Sequence, residues 1–168
     1  MDSARRKTIR INFVEISPKL KELVLRVPKN SPFNKRYGHL LSLVTTGFDE
    51  GLMSVLFQFF DPKHHCFTFP NHQLAPMLEE FSKLLGLPIL EQIPFTGLEQ
   101  DPTSENVAIA LHLKPSDIES SWERRSGVKG LLAKFLMEKE QVFLDAMSYH
   151  AFEDNLSLLI YGLVLFPN

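Results

Sequence analysis

Residues 57–88 read FQFFDPKHHCFTFPNHQLAPMLEEFSKLLGLP, and their reading decides the fold. In the last part Leu74, Met77, Leu78, Phe81, Leu84 and Leu85 recur at helical spacing, while Gln73, Glu79, Glu80, Ser82 and Lys83 take the opposite side. That pattern predicts an amphipathic helix. Asn71 is the expected N-cap, Pro76 is tolerable only near the helix start, and Gly86 with Pro88 supplies the stop. Just before it, Cys66-Phe67-Thr68-Phe69-Pro70 alternates weakly and ends on a proline, as an edge strand or extended turn does. The stretch is thus expected to be a helix, a short aromatic strand and a second helix, built around two phenylalanines.

Upstream, Asp49 is placed to cap a helix in which Leu52, Met53, Leu56, Phe57, Phe59 and Phe60 are apolar nearly all round, so this helix is expected to be central. Tyr37, Leu40, Leu41 and Val44 fall on one face of a helix running from Asn34 to Thr45-Thr46-Gly47. Leu20, Leu23 and Val24 predict a helical turn after Pro18, and Ile9, Ile11 and Phe13 alternate as a short strand would. Residues 1–32 are read as an N-terminal arm and 33–168 as one helical region.

Downstream, Pro94, Gly97 and Pro102 mark an irregular exposed loop, after which Thr103 or Ser104 can cap a helix packed by Val107, Ala108, Ala110 and Leu111. Pro115 opens another helix, with Ile118 and Trp122 on one face and Arg124-Arg125-Ser126-Gly127 closing it. From Val128 to Met147 an apolar stripe predicts one long helix, with Lys134, Glu138, Lys139 and Glu140 on its wet side. The last helix, residues 150–166, becomes apolar on every side after Ser157, and such a helix must be covered. The fold class expected is mainly α, with one short aromatic strand or hairpin near residues 66–70.

Composition excludes several classes. The chain has 168 residues, a one-domain length, and a 44% hydrophobic content with 14 Phe against one Trp points to a Phe-rich core. A net charge of −2 implies no global attraction to nucleic acid or anionic membrane. One cysteine excludes an internal disulfide and fits a reducing, intracellular setting. No secretory leader is visible in the polar N-terminus, and no apolar run approaches the roughly 20 residues of a membrane span.

The chemical candidates are few. His64, His65, Cys66 and His72 form the one cluster with metal-ligand chemistry, but neighbouring histidines in a strand point to opposite faces, so a surface turn beside a buried cysteine is the better reading. Cys66 with His65 or His72 as a nucleophile lacks an orienting partner. The carboxylate pairs Glu79-Glu80, Asp49-Glu50 and Glu153-Asp154 are adjacent residues about 100° apart on helices, and read as solvated faces. Gly127-Val128-Lys129-Gly130 is too short for a phosphate loop, although a helix beginning there could hold an anion weakly. No catalytic, cofactor-binding or metal residue is assigned. Arg5, Arg6, Lys7, Arg124 and Arg125 are the candidate nucleic-acid contacts, although the four N-terminal cations Arg5, Arg6, Lys7 and Arg10 more often mean a solubilising tail.

The ordered set Phe67-Thr68-Phe69-Pro70, Leu78-Glu79-Glu80-Phe81 and Leu84-Leu85-Gly86-Leu87-Pro88 resembles the plant mobile domain family. Members of that family, sometimes labelled aminotransferase-like, occur in transposable elements and in nuclear proteins derived from them. Residues 105–113 (ENVAIALHL) and 161–168 (YGLVLFPN) resemble the branch found beside legume retrotransposons. The resemblance spans residues 51–168 and implies that Phe67, Phe69, Pro70, Leu78, Glu79, Glu80, Leu85, Gly86, Leu87 and Pro88 are structural positions, with Glu79 or Glu80 capping its helix or bracing the neighbouring strand. It implies a nuclear, transposon-associated, non-catalytic protein-interaction module without a cofactor. The alternative is a nucleic-acid-binding domain of an element-derived protein. Family sequences continue beyond the Leu-Phe-Pro motif, so a chain ending at Asn168 is expected to be truncated at its C-terminus, as a gene fragment would be.

Overall fold

The computed structural model describes residues 16–47, 49–64, 66–75, 77–88, 102–125 and 127–165. In chain order these form α1 (Pro18–Leu25), α2 (Phe33–Tyr37), α3 (Leu40–Thr45), α4 (Glu50–Phe57), β1 (Phe60–Asp61), β2 (Cys66–Thr68), β3 (Gln73–Leu74), α5 (Leu78–Leu85), α6 (Ser104–Leu111), α7 (Pro115–Ser121), β4 (Trp122–Arg125), β5 (Val128–Leu131), α8 (Ala133–Asp145) and α9 (Tyr149–Ile160). A π-helical turn, Tyr161–Leu165, follows α9. The fold is mainly α, as expected. The described residues divide into two compact units, 46–88 and 16–45 with 102–165. The segment read as part of an N-terminal arm therefore lies, from residue 16 onward, in one unit with α2 and α3. The strand expected at residues 9–13 and the loop around Pro94 and Gly97 fall outside the described residues.

The larger unit is built around α9. Ala151, Phe152, Asn155, Leu156, Leu159 and Ile160 are all buried, because α1, α3, α6 and α8 pack against this one helix. The central position expected for α4 belongs to α9 instead. Pro18 sits in the first turn of α1, where a missing N–H costs nothing, and Leu20, Leu23 and Val24 form its buried side. The single helix expected from Asn34 is two, since Gly38 takes φ 62 and breaks the ladder between α2 and α3. Phe33, Leu40 and Val44 are the residues these two helices bury.

The second difference is a hairpin. α7 ends at Ser121, and Trp122–Arg125 pairs antiparallel with Val128–Leu131, so neither the Ile118–Trp122 helical face nor a helix from Val128 exists. Arg125 stands opposite Val128, which leaves a two-residue connection, and Gly127 supplies its positive φ of 86. The anion site conceivable at a helix start near Gly127 goes with that helix. α8 then closes with Ser148 N–H donating to Phe143 O at 2.8 Å and Met147 N–H to Leu144 O at 3.0 Å, and Met147 takes φ 52. This is a Schellman ending with a non-glycine residue in the left-handed position.

In the smaller unit the sheet order is β1-β2-β3, all antiparallel. β2 is thus the centre of its sheet and not an edge. Pro70 lies beyond the last paired residue, so its missing N–H breaks no ladder bond. Gln73 and Leu74, expected in the helix, are β3, and α5 starts only at Leu78. Asn71 therefore does not cap α5. Glu80 reaches back instead and accepts from Met77 N–H at 3.3 Å. The stop is as predicted: Gly86 at φ 68, with Leu87 N–H donating to Ser82 O at 3.0 Å and Gly86 N–H to Lys83 O at 3.3 Å. Asp49 also caps α4 as expected, accepting from Leu52 N–H at 2.9 Å. Yet α4 buries no residue, and Leu52 and Val55 are each 61% exposed.

Candidate functional site

The densest polar arrangement lies where α2, α6 and α9 meet, and it centres on Asp154. His150 and Asp154 are four apart on α9 and so share a face. His112 ends α6 in the left-handed conformation, φ 55, closing a Schellman turn in which Leu113 N–H donates to Ala108 O at 2.9 Å. Asn155, fully buried, ties that helix end to α9 by donating from Nδ2 to Leu111 O and Ala151 O, both at 2.9 Å. A non-glycine residue in this position costs about 1 kcal/mol or more, and here the His112 side chain meets Asp154.

Asp154 uses its two oxygens differently. Oδ1 accepts from the Tyr37 hydroxyl and from Arg36 Nη1. Oδ2 faces two imidazoles, His112 Nε2 at 2.7 Å and His150 Nδ1 at 3.0 Å. Arg36 Nη2 also pairs with Glu153, which accepts from Ser31 Oγ as well. Arg36 Nη1 lies 3.1 Å from His150 Nε2. A guanidinium only donates, so His150 Nε2 is the acceptor and its proton sits on Nδ1, directed at Asp154. The Glu153-Asp154 pair, read from sequence as a solvated face, is the reverse: Glu153 is 2% exposed and both carboxylates are partnered.

The electrostatics follow from this packing. Burial pushes the Asp154 carboxyl up, but hydrogen bonds from Tyr37 and His112 and the charge of Arg36 outweigh it and hold it below the usual range. The Tyr37 hydroxyl is pushed up to about 12, by burial first and then by its bond to the Asp154 carboxylate. Burial disfavours the Arg36 cation, yet Glu153 and Asp154 together raise its pKa. Two carboxylates face one guanidinium, so the cluster keeps an excess of negative charge. A ring nitrogen of His112, a ring nitrogen of His150 and an Asp154 oxygen lie within 4.8 Å of one another.

The residues singled out from sequence are placed elsewhere. Arg5, Arg6 and Lys7 fall outside the described residues, as does His65. Arg124 is exposed on β4 and pairs in register with Lys129 of β5, so two cations stand directly opposite. Lys129 Nζ lies 4.2 Å from the centroid of the Trp122 ring, and the Trp122 indole N–H donates to Ser104 Oγ at 2.9 Å. Arg125 follows on β4, opposite Val128. His64 pairs with Asp61 at 2.8 Å, Cys66 is buried beside Thr68, and His72 stacks on Phe69 at 4.8 Å between centroids. These three side chains make separate contacts and do not converge.

The motif positions lie in and beside β2 and α5. Phe67 meets Phe57 and Phe60 at centroid distances of 5.9 and 5.4 Å, and Phe69 stacks on Phe59 at 4.9 Å. Leu78 opens α5, Glu79 is exposed, Leu85 is buried, and Gly86, Leu87 and Pro88 form its ending. Sequence reasoning missed Arg36, Tyr37, His112, His150 and Asp154 as a group. The His150–Asp154 spacing was readable, but Arg36 and His112 are far away in the chain and nothing local announces them.

With this geometry in place, comparison with known proteins gives one match. Residues 19–168 match the family described as Domain of unknown function (DUF7745). The chain belongs to this family. No curated protein and no solved structure matches it. For this DUF7745 chain, no helix among the described residues is long and apolar enough to cross a membrane.

Proposed function

We propose that the chain is a non-catalytic protein-interaction module of a nuclear protein associated with transposable elements. The observation that carries this reading is α4. It is an apolar helix with a mean composition suited to a core, yet it has no buried residue, and Leu52 and Val55, three apart on one face, are largely exposed. Its N-terminus carries Asp49 and Glu50. The complementary partner is an amphipathic helix of another protein, with its apolar side on Leu52 and Val55 and cations facing Asp49 and Glu50. The nuclear and transposon setting rests on the resemblance to plant mobile domains.

Photo-crosslinking in nuclear extract tests it. A photoreactive residue at Val55 is expected to give a discrete adduct that disappears with Leu52→Asp. A label at the exposed Glu79 is the control. Identical adducts from both positions, or an adduct indifferent to Leu52→Asp, would sink the reading.

A second reading has its own observation. Arg124 and Lys129 are like charges in a directly opposed pair, an arrangement that costs stability unless an anion lies against it. With Trp122 beside them, this hairpin face supports nucleic-acid binding. Arg124→Ala and Lys129→Ala should then each lower the slope of log K against log salt by about one. A salt-independent or absent affinity for DNA and RNA excludes it.

A further inference from the structure

We propose that His112, His150 and Asp154 form a binding site for a divalent transition-metal ion. Each of the three residues already offers a donor atom within 4.8 Å of the other two. The two imidazole nitrogens stand 2.7 and 3.0 Å from that one oxygen. Donors around a tetrahedral zinc with bonds of about 2.0–2.1 Å are roughly 3.3 Å apart, so only small side-chain rotations separate the present arrangement from a coordinated one. Imidazole and carboxylate together suit zinc and its first-row neighbours better than magnesium or calcium.

Four further features point the same way. The other Asp154 oxygen is held by Tyr37 and Arg36, the outer-shell bonding that orients a ligating carboxylate. Glu153 and Asp154 outnumber Arg36 by one charge, which leaves the pocket attractive to a cation. The imidazoles are 40% and 67% exposed and Asp154 13%, so the ligands face a solvent side from which an ion can enter and where water can complete its shell. His112 occupies a left-handed helix end where glycine would be less strained, and Asn155 fixes that end against α9.

Binding has defined costs, the first being the hydrogen bonds from His112 Nε2 and His150 Nδ1 to Asp154 Oδ2, which a metal between them replaces. A metal on His150 Nδ1 moves that ring's proton to Nε2, which then opposes Arg36 and cancels the 3.1 Å contact between them. Arg36 keeps its bonds to Asp154 and Glu153. The exchange is therefore three ring hydrogen bonds, two to Asp154 and one from Arg36, for the bonds that the two rings and Asp154 make to the metal.

The test uses the full chain, freed of metal with a chelator. Zn²⁺ is titrated calorimetrically, and Co²⁺ serves as the spectroscopic probe of coordination. One ion per chain is expected, with His112→Ala and His150→Ala each weakening binding by at least about a hundredfold, since even outer-shell losses cost 10–100-fold. Both histidines are substantially exposed, so these variants should keep the wild-type circular dichroism. Tyr37→Phe, which removes only an outer-shell bond, should cost about tenfold. The triple change His64→Ala, Cys66→Ser and His72→Ala should leave affinity unaltered. Absence of stoichiometric binding, or wild-type affinity in either His112→Ala or His150→Ala, overturns the assignment.

Discussion

Glu140 offers the sharpest test of how this fold handles charge. It was expected on the wet side of a helix, yet it is fully buried in α8, and neither carboxyl oxygen has a hydrogen-bond partner among the described residues. Burial pushes its pKa from 4.5 up to about 9. The native state thus holds the proton more tightly than the unfolded chain. Stability is fully present below about pH 4.5 and declines as pH rises, until the folded carboxyl itself ionises near 9. Over the interval to pH 7, at about 1.4 kcal/mol per unit, the loss is about 3 kcal/mol. Glu140→Gln has nearly the same shape and cannot ionise, so it should be more stable than wild type by about that amount near pH 7 and equal to it near pH 4.5. Glu140→Met should add about 1–3 kcal/mol more by removing the unsatisfied polar group. Urea denaturation at a series of pH values, followed by the fluorescence of Trp122, measures this in the unit that holds α8. A difference between wild type and Glu140→Gln that does not change with pH, or a less stable Gln variant near pH 7, would refute the reasoning.

Asp154 has the opposite sign. Its folded pKa lies below the usual value, so its stabilisation is present above the unfolded pKa and lost as pH falls through the folded one. Asp154→Asn should therefore flatten the acid limb of the pH–stability curve, and an unchanged limb would remove Asp154 as its source. Met147→Gly should raise stability by about 0.5–1 kcal/mol, because φ 52 is strained for methionine and its side chain is 75% exposed. A lower melting temperature for that variant counts against the strain argument. Thr103 caps α6 by accepting from Asn106 N–H at 3.2 Å. Thr103→Ala should cost about 1 kcal/mol and Thr103→Ser should recover most of it, so equal stability of Ala and Thr in thermal melts would deny the cap.

Local chemistry carried much of the fold in legible form. The caps at Asp49 and Thr103, the glycine ending of α5, the buried stripe of α1 and the aromatic strand at 66–68 depend on residues within a few positions of one another. The exposed Lys134–Glu138 pair, at 4.0 Å, is of the same kind and contributes only a few tenths of a kcal/mol. The hairpin of β4 and β5 escaped because Ile118–Trp122 and Val128–Leu131 are four and three residues apart, spacings that two helices also satisfy. The Ser126-Gly127 dipeptide, a turn signal in sequence, could have revealed it.

The sequence by itself determined the class of the fold and where several helices start or stop, since capping and periodicity act over one or two turns. Only the tertiary structure decided which helix is central. α4 and α9 are both rich in apolar residues, and burial depends on how many neighbours reach each one. The same reason explains Glu140, whose neutral state follows from what surrounds α8 and not from its place in a pattern. It also explains the Asp154 cluster. Arg36, His112 and His150 come from three segments that no local rule connects, and they meet because α2 and the end of α6 are packed onto one face of α9.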